Sequence, residues 1–252
     1  MTAKPRVGLF VTCLVDLARP SVGFAAVKLL ELAGCEVFVP ETQTCCGQPA
    51  WNSGAEKHAV DIARAVVDAF EGFDHVVAPS GSCGGMIRVH YPEVFRDDPV
   101  YLPRAKALAA KTHELISFLV NVRGMKSVVA SCAARACYHD SCSSLREMKV
   151  KQEPRQLLAS VNGLALSELQ EPQTCCGFGG LFSVKYPGIS ERMADDKIAD
   201  AQSSGADVLI GPDLGCLLHL AGRMERKGVP MKVHHVAEVL ANMSGEPALG
   251  EP

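Results

Sequence analysis

The pentapeptide QTCCG occupies residues 43–47 and returns letter for letter at residues 173–177. Two adjacent cysteines followed by glycine are an unusual unit, and its return 130 positions later points to a duplicated chain. The other cysteines keep the same order around each copy. Cys13 is followed after 31 residues by Cys45 and Cys46, and after 36 more by Cys83; Cys142 is followed after 32 residues by Cys175 and Cys176, and after 39 more by Cys216. Equivalent cysteines are thus 129, 130, 130 and 133 positions apart. The likeness extends beyond sulfur: "DHVVAPSGSC" (74–83) aligns without a gap on "DVLIGPDLGC" (207–216), matching Asp74 to Asp207 and Pro79 to Pro212.

Working outward from these units, the pattern alternates strands and helices. "RVGLFVT" (6–12) reads as a buried strand, "SVGFAAVKLLELAG" (21–34) as a helix closed by glycine, and "CEVFVP" (35–40) as a second strand running into the first QTCCG. A helix is expected from about Ser53 to Phe70, then a third strand at "HVVAPS" (75–80), with Cys83 in the glycine-bearing loop behind it. The second half repeats the order: "ACYHDSC" (136–142), "GLALSEL" (163–169), a helix over "SERMADDKIADAQSSG" (190–205) and a strand at "ADVLIGP" (206–212). After a helix that starts around Pro103, the boundary is expected near "NVRGMKS" (121–127), dividing the chain into repeats 1–124 and 125–252. The fold class is α/β, with two tandem mostly parallel sheets flanked by helices. Each cysteine group then falls in a loop after a strand, at the edge where open α/β sheets collect ligands.

Bulk composition narrows the function. The chain has 252 residues, 48% hydrophobic and 21% charged, with a formal net charge of -3 and no run of five basic residues. Nucleic acid or an anionic membrane is therefore not expected as main partner. The opening "MTAKPRVGLFVTC" lacks the apolar stretch of a secretory signal, and no segment is apolar over the length a bilayer requires, so a cytoplasmic location without a transmembrane segment is expected. In a reducing cytosol, 11 cysteines point to metal or redox chemistry rather than to a disulfide framework. Cys35, Cys132 and Cys137 read as small core residues. The other eight form two quartets: Cys13, Cys45, Cys46 and Cys83, then Cys142, Cys175, Cys176 and Cys216.

Three chemistries compete for each quartet. A disulfide between neighbours is poor, because a trans peptide spaces adjacent Cα atoms about 3.8 Å apart, below the usual bridged range of about 4.4–6.8 Å. Zinc accepts four thiolates, although its sites usually draw on Cys-x-x-Cys turns, and it stays open at one of the two sites. An iron–sulfur cluster suits adjacent cysteines best, since neighbouring thiolates can bind different irons. Gly47, Gly177, Gly84 and Gly85 would let the backbone approach and donate N–H groups to cluster sulfides.

The doubled Cys…Cys-Cys-Gly…Cys pattern resembles the CCG cysteine-rich domain, found twice in the B subunit of heterodisulfide reductase and also in the iron–sulfur subunit of glycolate oxidase. "LFVTCLVD", "TCCGQPAWNSG", "PSGSCGGM", "YHDSC", "CCGFGGLFSVK" and "GRMERKGVPMKVHHVAEVL" together are similar to the lactate utilization protein A family over nearly the whole chain. The resemblance implies an iron–sulfur oxidoreductase subunit that takes part in oxidising L-lactate to pyruvate, with companion proteins that include a ferredoxin-like iron–sulfur protein. It implies 4Fe–4S clusters, one or two per chain, on the eight cysteines. In the heterodisulfide reductase relatives the last cysteine belongs to a Cys-x-x-Cys pair; Met86 and His219 stand at those places here, so each half keeps four of five cysteines. His219 is a candidate nitrogen ligand, although a helix-surface histidine is the simpler expectation, and Met86 reads as core.

His139 and Asp140, just ahead of Cys142, are candidates for moving the proton that accompanies lactate oxidation. Gln48 and Ser82 are candidates for hydrogen bonds to cluster or substrate, His234 and His235 read as solvent-facing or capping residues, and Trp51 reads as packing or a lid. L-lactate remains a candidate small-molecule partner. Two rival functions stay open: reduction of disulfides or heterodisulfides, and a zinc-stabilised scaffold or thiol redox sensor.

Overall fold

Val7, Gly8 and Leu9 are all buried, as expected for a strand covered on both faces. In the computed structural model, which describes residues 3–251, they belong to β1 (Arg6–Leu9), the inner strand of an all-parallel sheet completed by β2 (Glu36–Phe38), β3 (His75–Ala78) and β4 (Thr112–Glu114). The strand order is β2-β1-β3-β4, with Val7 paired to Val37 on one side and to His75 on the other. A second sheet holds β5 (Ser131–Tyr138), β6 (Asn162–Ser167), β7 (Val208–Gly211) and β8 (Lys232–His235), all parallel, in the order β6-β5-β7-β8. The same order twice is the structural form of the duplication. The chain divides into two compact units, one ending at Gly124 and the other beginning at Met125.

Equivalent positions carry equivalent bonds. Asp74 donates its backbone N–H to the Arg6 carbonyl at 2.9 Å, and Asp207 donates to the Arg135 carbonyl at 2.8 Å. The helix Glu56–Phe70 buries Ala59, Ala63, Val66, Val67 and Phe70, an apolar stripe at helical spacing. The helix Pro187–Ser203 buries Ser190, Ala194, Lys197, Ile198 and Ala201 at the same spacing. Lys197 therefore stands where the first unit has Val66.

Several expectations change in detail. The helix expected from Ser53 starts instead at Glu56 and is preceded by a separate short helix, Gln48–Asn52. Between them the chain reverses through Gly54 at φ +76°, a conformation that a continuing helix excludes. β4 and β8 were not expected: the helix Tyr101–Ala110 ends before Lys111, and Thr112–Glu114 pairs with β3. Cys83 lies on a short helix, Gly81–Gly85, capped by the Ser80 side chain, rather than in a loop. Cys13, Cys142 and Cys216 likewise fall on helices, leaving only the two Cys-Cys pairs in loops. Cys35 and Cys137 are buried as expected, whereas Cys132 is only half-buried at the outer end of β5. Met86 is fully buried in the core of the first unit beside Phe10, Val66 and Phe70.

Removing the Phe70 side chain from this core with Phe70→Ala is expected to cost about 3–5 kcal/mol of unfolding free energy in denaturant titration. Gly54→Ala, at φ +76° with no neighbour within 4 Å of a new Cβ, is expected to cost only about 1–2 kcal/mol.

Candidate metal centres

Within each sheet the connection from β1 turns to one side and the next crosses to the other, so a crevice opens at the carboxyl ends of β1 and β3, and likewise of β5 and β7. Every candidate cysteine follows one of these strands or its outer neighbour. Cys13 opens a helix whose N-cap, Thr12, accepts a hydrogen bond from the Val15 N–H. Cys83 follows β3 behind the Ser80 cap. Cys216 sits in the first turn of the helix Leu214–Lys227, whose cap Asp213 accepts from the Gly215 N–H at 3.2 Å. Although Cys176 donates toward it, burial and the Asp213 charge push the Cys216 thiol up.

The Cys-Cys loops are shaped by their glycines. Gly47 and Gly177 hold φ of +84° and +87°, and each donates its N–H to the sulfur of the first cysteine of its pair, Cys45 or Cys175, at 3.4 Å. Phe178 N–H reaches Cys176 Sγ at 3.5 Å. A Cβ on Gly177 would stand 2.6 Å from the Ser190 carbonyl oxygen, so the loop closes only with glycine there. In the first unit the Tyr91 hydroxyl donates to the Cys46 carbonyl at 2.9 Å, anchoring the pair from below.

These supports bring the eight sulfurs into two groups. In the first unit Cys13 reaches Cys45, Cys45 reaches Cys46, and Cys46 reaches Cys83, each within side-chain hydrogen-bonding range. In the second the same sequence runs Cys142, Cys175, Cys176, Cys216. The adjacent cysteines thus both turn inward. Their protons are mutually dependent. The hydrogen bond to Cys45 and burial push the Cys13 thiol well up, while donation from Cys13, Cys46 and the Gly47 N–H holds Cys45 far below the ordinary thiol value. Cys142 is pushed up in the same way by Cys175 and burial. In the first quartet the Cys45 thiolate is stabilised by its neighbours' protons, whereas in the second all four thiols are held up, and in either a soft cation would displace those protons. Chemically the donor set fits an iron–sulfur cluster or zinc.

The second site has polar company that the first lacks. His139 is 1% exposed, neither ring nitrogen has a hydrogen-bond partner, and burial, with the nearby Lys197 charge, lowers its pKa to about 4. One of its nitrogens and the sulfurs of Cys176 and Cys216 lie within 4.8 Å of one another. Asp140 does not pair with His139. Arg155 grips both Asp140 oxygens, at 2.7 and 2.9 Å, and also binds Glu168 at 2.6 Å. Burial opposes the Arg155 charge, and Glu168 and Asp140 more than restore it. Ser141, between Asp140 and Cys142, holds φ +53°, a strained setting worth about 1–3 kcal/mol, and accepts from the Cys216 thiol at 3.8 Å.

Other candidates are placed elsewhere. His219 is half-buried, within 3.2 Å of the Ser190 hydroxyl and packed on Phe178. Gln48 donates to the Ser82 carbonyl at 3.4 Å, and Ser82 and Ser80 share a hydroxyl contact at 2.9 Å. The Gly84 N–H is committed to the Ser80 carbonyl inside its helix, so it does not face a sulfide. Trp51 is partly buried against the core and beside His90. His234 and His235 are buried on β8 rather than facing solvent; His235 does cap the next helix, in a capping box with Glu238. A mostly apolar cavity of about 470 Å³ opens beside Cys13 and Cys45. Leu9, Val27, Phe24 and Val39 line it together with Asp16 and Glu41.

The profile of the family described as "Cysteine-rich domain" (CCG) matches residues 7–88 and 136–221. The lactate utilization protein A of Halalkalibacterium halodurans is 51% identical over 235 residues, covering 93% of this chain and 96% of that protein. Its namesakes from Geobacillus thermodenitrificans and Bacillus subtilis are 52% and 49% identical, each over 93% of this chain and 98% of the relative. A hypothetical protein from Helicobacter pylori, solved by crystallography, superposes with a TM-score of 0.68 at 13% identity, over 100% of this chain and 50% of that one. That last likeness concerns the fold alone.

Asp140 is 2% exposed, so Arg155→Met leaves a buried carboxylate without its counter-charge and is expected to cost about 3 kcal/mol of stability. Combining it with Asp140→Leu is expected to restore much of the loss in a double-mutant unfolding cycle.

Proposed function

The chain belongs to the cysteine-rich (CCG) domain family and, within it, to the lactate utilization protein A family, and from that premise we propose that it is an iron–sulfur subunit that accepts and passes on electrons as L-lactate is oxidised to pyruvate. The observation that carries this reading is the pair of inward-turned thiol quartets. Cys13, Cys45, Cys46 and Cys83 would hold one cluster, and Cys142, Cys175, Cys176 and Cys216 another. Each cluster, when bound, supplies one-electron acceptance and release, which no ordinary side chain provides. The rest is done by the chain itself. Gly47 and Gly177 aim N–H groups at the sulfurs of Cys45 and Cys175, and such donors stabilise charge on sulfur and help set a potential. The apolar core behind Cys46 and Cys83 keeps water from that side.

Lactate oxidation releases two electrons and two protons. The cavity beside Cys13 and Cys45 supports a relay role over direct capture of lactate: its lining has two carboxylates, Asp16 and Glu41, and no basic side chain to meet the substrate's own carboxylate. On this reading companion proteins, a ferredoxin-like iron–sulfur protein among them, bind the substrate and exchange electrons with these centres. The histidine nearest the second quartet, His139, is placed to receive a proton or a metal, whereas Asp140 is committed to Arg155. Among the described residues no helix is long and apolar enough to cross a membrane.

Protein purified without oxygen is expected to be brown and to contain both iron and acid-labile sulfide. Cys46→Ser and Cys176→Ser are each expected to lose about half of the iron, each emptying one site. Lactate-dependent reduction of the remaining visible absorption, measured with the companion proteins present and absent, is expected only in their presence. Colourless protein containing zinc alone would instead support a structural scaffold, and turnover of disulfides without lactate-dependent reduction would support the reductase alternative.

A further inference from the structure

The two quartets are alike, but one wall of the pocket differs between them. Phe10 and His139 occupy the same place: each directly follows the inner strand of its sheet and donates its backbone N–H across to the next strand. Phe10 donates to the Val77 carbonyl at 2.8 Å and His139 to the Ile210 carbonyl at 2.8 Å. In the first unit the position is filled by a phenyl ring, which packs on Phe70 with centroids 5.5 Å apart. In the second it is filled by an imidazole that is 1% exposed. Both of its nitrogens lack a hydrogen-bond partner.

A buried, unpartnered imidazole is rare in a folded protein and calls for a partner. His139 has a specific one within reach. A ring nitrogen joins Cys176 Sγ and Cys216 Sγ in a set whose atoms are all within 4.8 Å of one another, a spread that one metal atom or one edge of a cluster spans. The other histidine of this region, His219, is engaged with Ser190 instead. Among the described residues of the first unit there is no such group, and the corresponding wall is Phe10 and Val66.

We propose that His139 is a nitrogen ligand to the metal centre held by Cys142, Cys175, Cys176 and Cys216. The first unit would then hold an all-thiolate centre and the second a mixed thiolate–imidazole centre. Two centres with different ligands can differ in reduction potential, because ligand identity and the surrounding polarity are what tune iron–sulfur potentials. The inference rests on the reading that the second quartet holds an iron–sulfur cluster.

The test uses full-length Cys46→Ser protein, purified without oxygen so that the second centre alone remains, and reduced to its paramagnetic state. Pulsed electron paramagnetic resonance is then compared between unlabelled protein and protein grown with ¹⁵N-histidine. A strong histidine-nitrogen coupling that changes with the label is expected, persisting in His219→Gln and lost in His139→Phe. Should His139→Phe shed its cluster altogether, His139→Cys, which offers sulfur in place of nitrogen, is expected to hold iron but show no histidine coupling. Iron present in Cys46→Ser with no histidine coupling, or with a coupling that survives His139→Phe or His139→Cys, overturns the ligand role while leaving the iron–sulfur reading intact. Absence of iron from Cys46→Ser protein overturns both.

Discussion

Four thiols crowded into one pocket cannot all ionise unless a cation joins them. Like charges a few ångströms apart, in a partly buried site, raise one another's proton affinity. Both quartets share protons along a string of sulfurs; the first leaves Cys45 as a thiolate stabilised by its neighbours, and the second holds all four thiols protonated. Such an arrangement stores little stability of its own and is poised for exchange of protons for soft metal. The fold is organised around producing it. A parallel sheet directs three strand ends to one edge, caps at Thr12, Ser80 and Asp213 start helices just where a cysteine must turn inward, and glycines at positive φ let adjacent cysteines face the same space.

Duplication followed by divergence explains the differences between the halves. The strand order, the Arg–Asp bond across the sheet and the helix stripe are retained in both. What changed is the lining. Where the first unit places Phe10 and Val66, the second places His139 and Lys197, and it fixes its approach to Cys142 with the Arg155–Asp140–Glu168 cluster and a strained Ser141. Buried charge and strain of this kind are costly to a fold. They are concentrated at the second site, which marks it as the more specialised of the two.

Much of this was legible in the sequence because cysteine spacing and apolar runs carry long-range information. The doubled QTCCG, the gapless alignment of 74–83 on 207–216 and the strand-then-cysteine order were enough to give the α/β class and to single out both quartets as candidates. The rest lacked a local signal. β4 is three residues, Thr-His-Glu, with no apolar run to distinguish it, and β8 hides two histidines whose burial depends on pairing with β7. Matching Thr112–Leu119 with Val233–Leu240 would have found both, since each pairs a histidine-bearing strand with an immediately following helix. Nothing in the charge-rich run around Lys197 marks it as different from its exposed neighbours, yet it is 1% exposed. Asp140 and His139 read as a natural pair because they are adjacent, but beyond the end of β5 their side chains part, Asp140 to Arg155 and His139 toward Cys176 and Cys216.

The most direct measurement is anomalous diffraction from crystals grown without oxygen, recorded on both sides of the iron and zinc absorption edges. The account requires two iron-specific density peaks per chain, one within Cys13, Cys45, Cys46 and Cys83 and one within Cys142, Cys175, Cys176 and Cys216. A quartet occupied only by zinc, or one holding no metal while its sulfurs stay protonated, would contradict it.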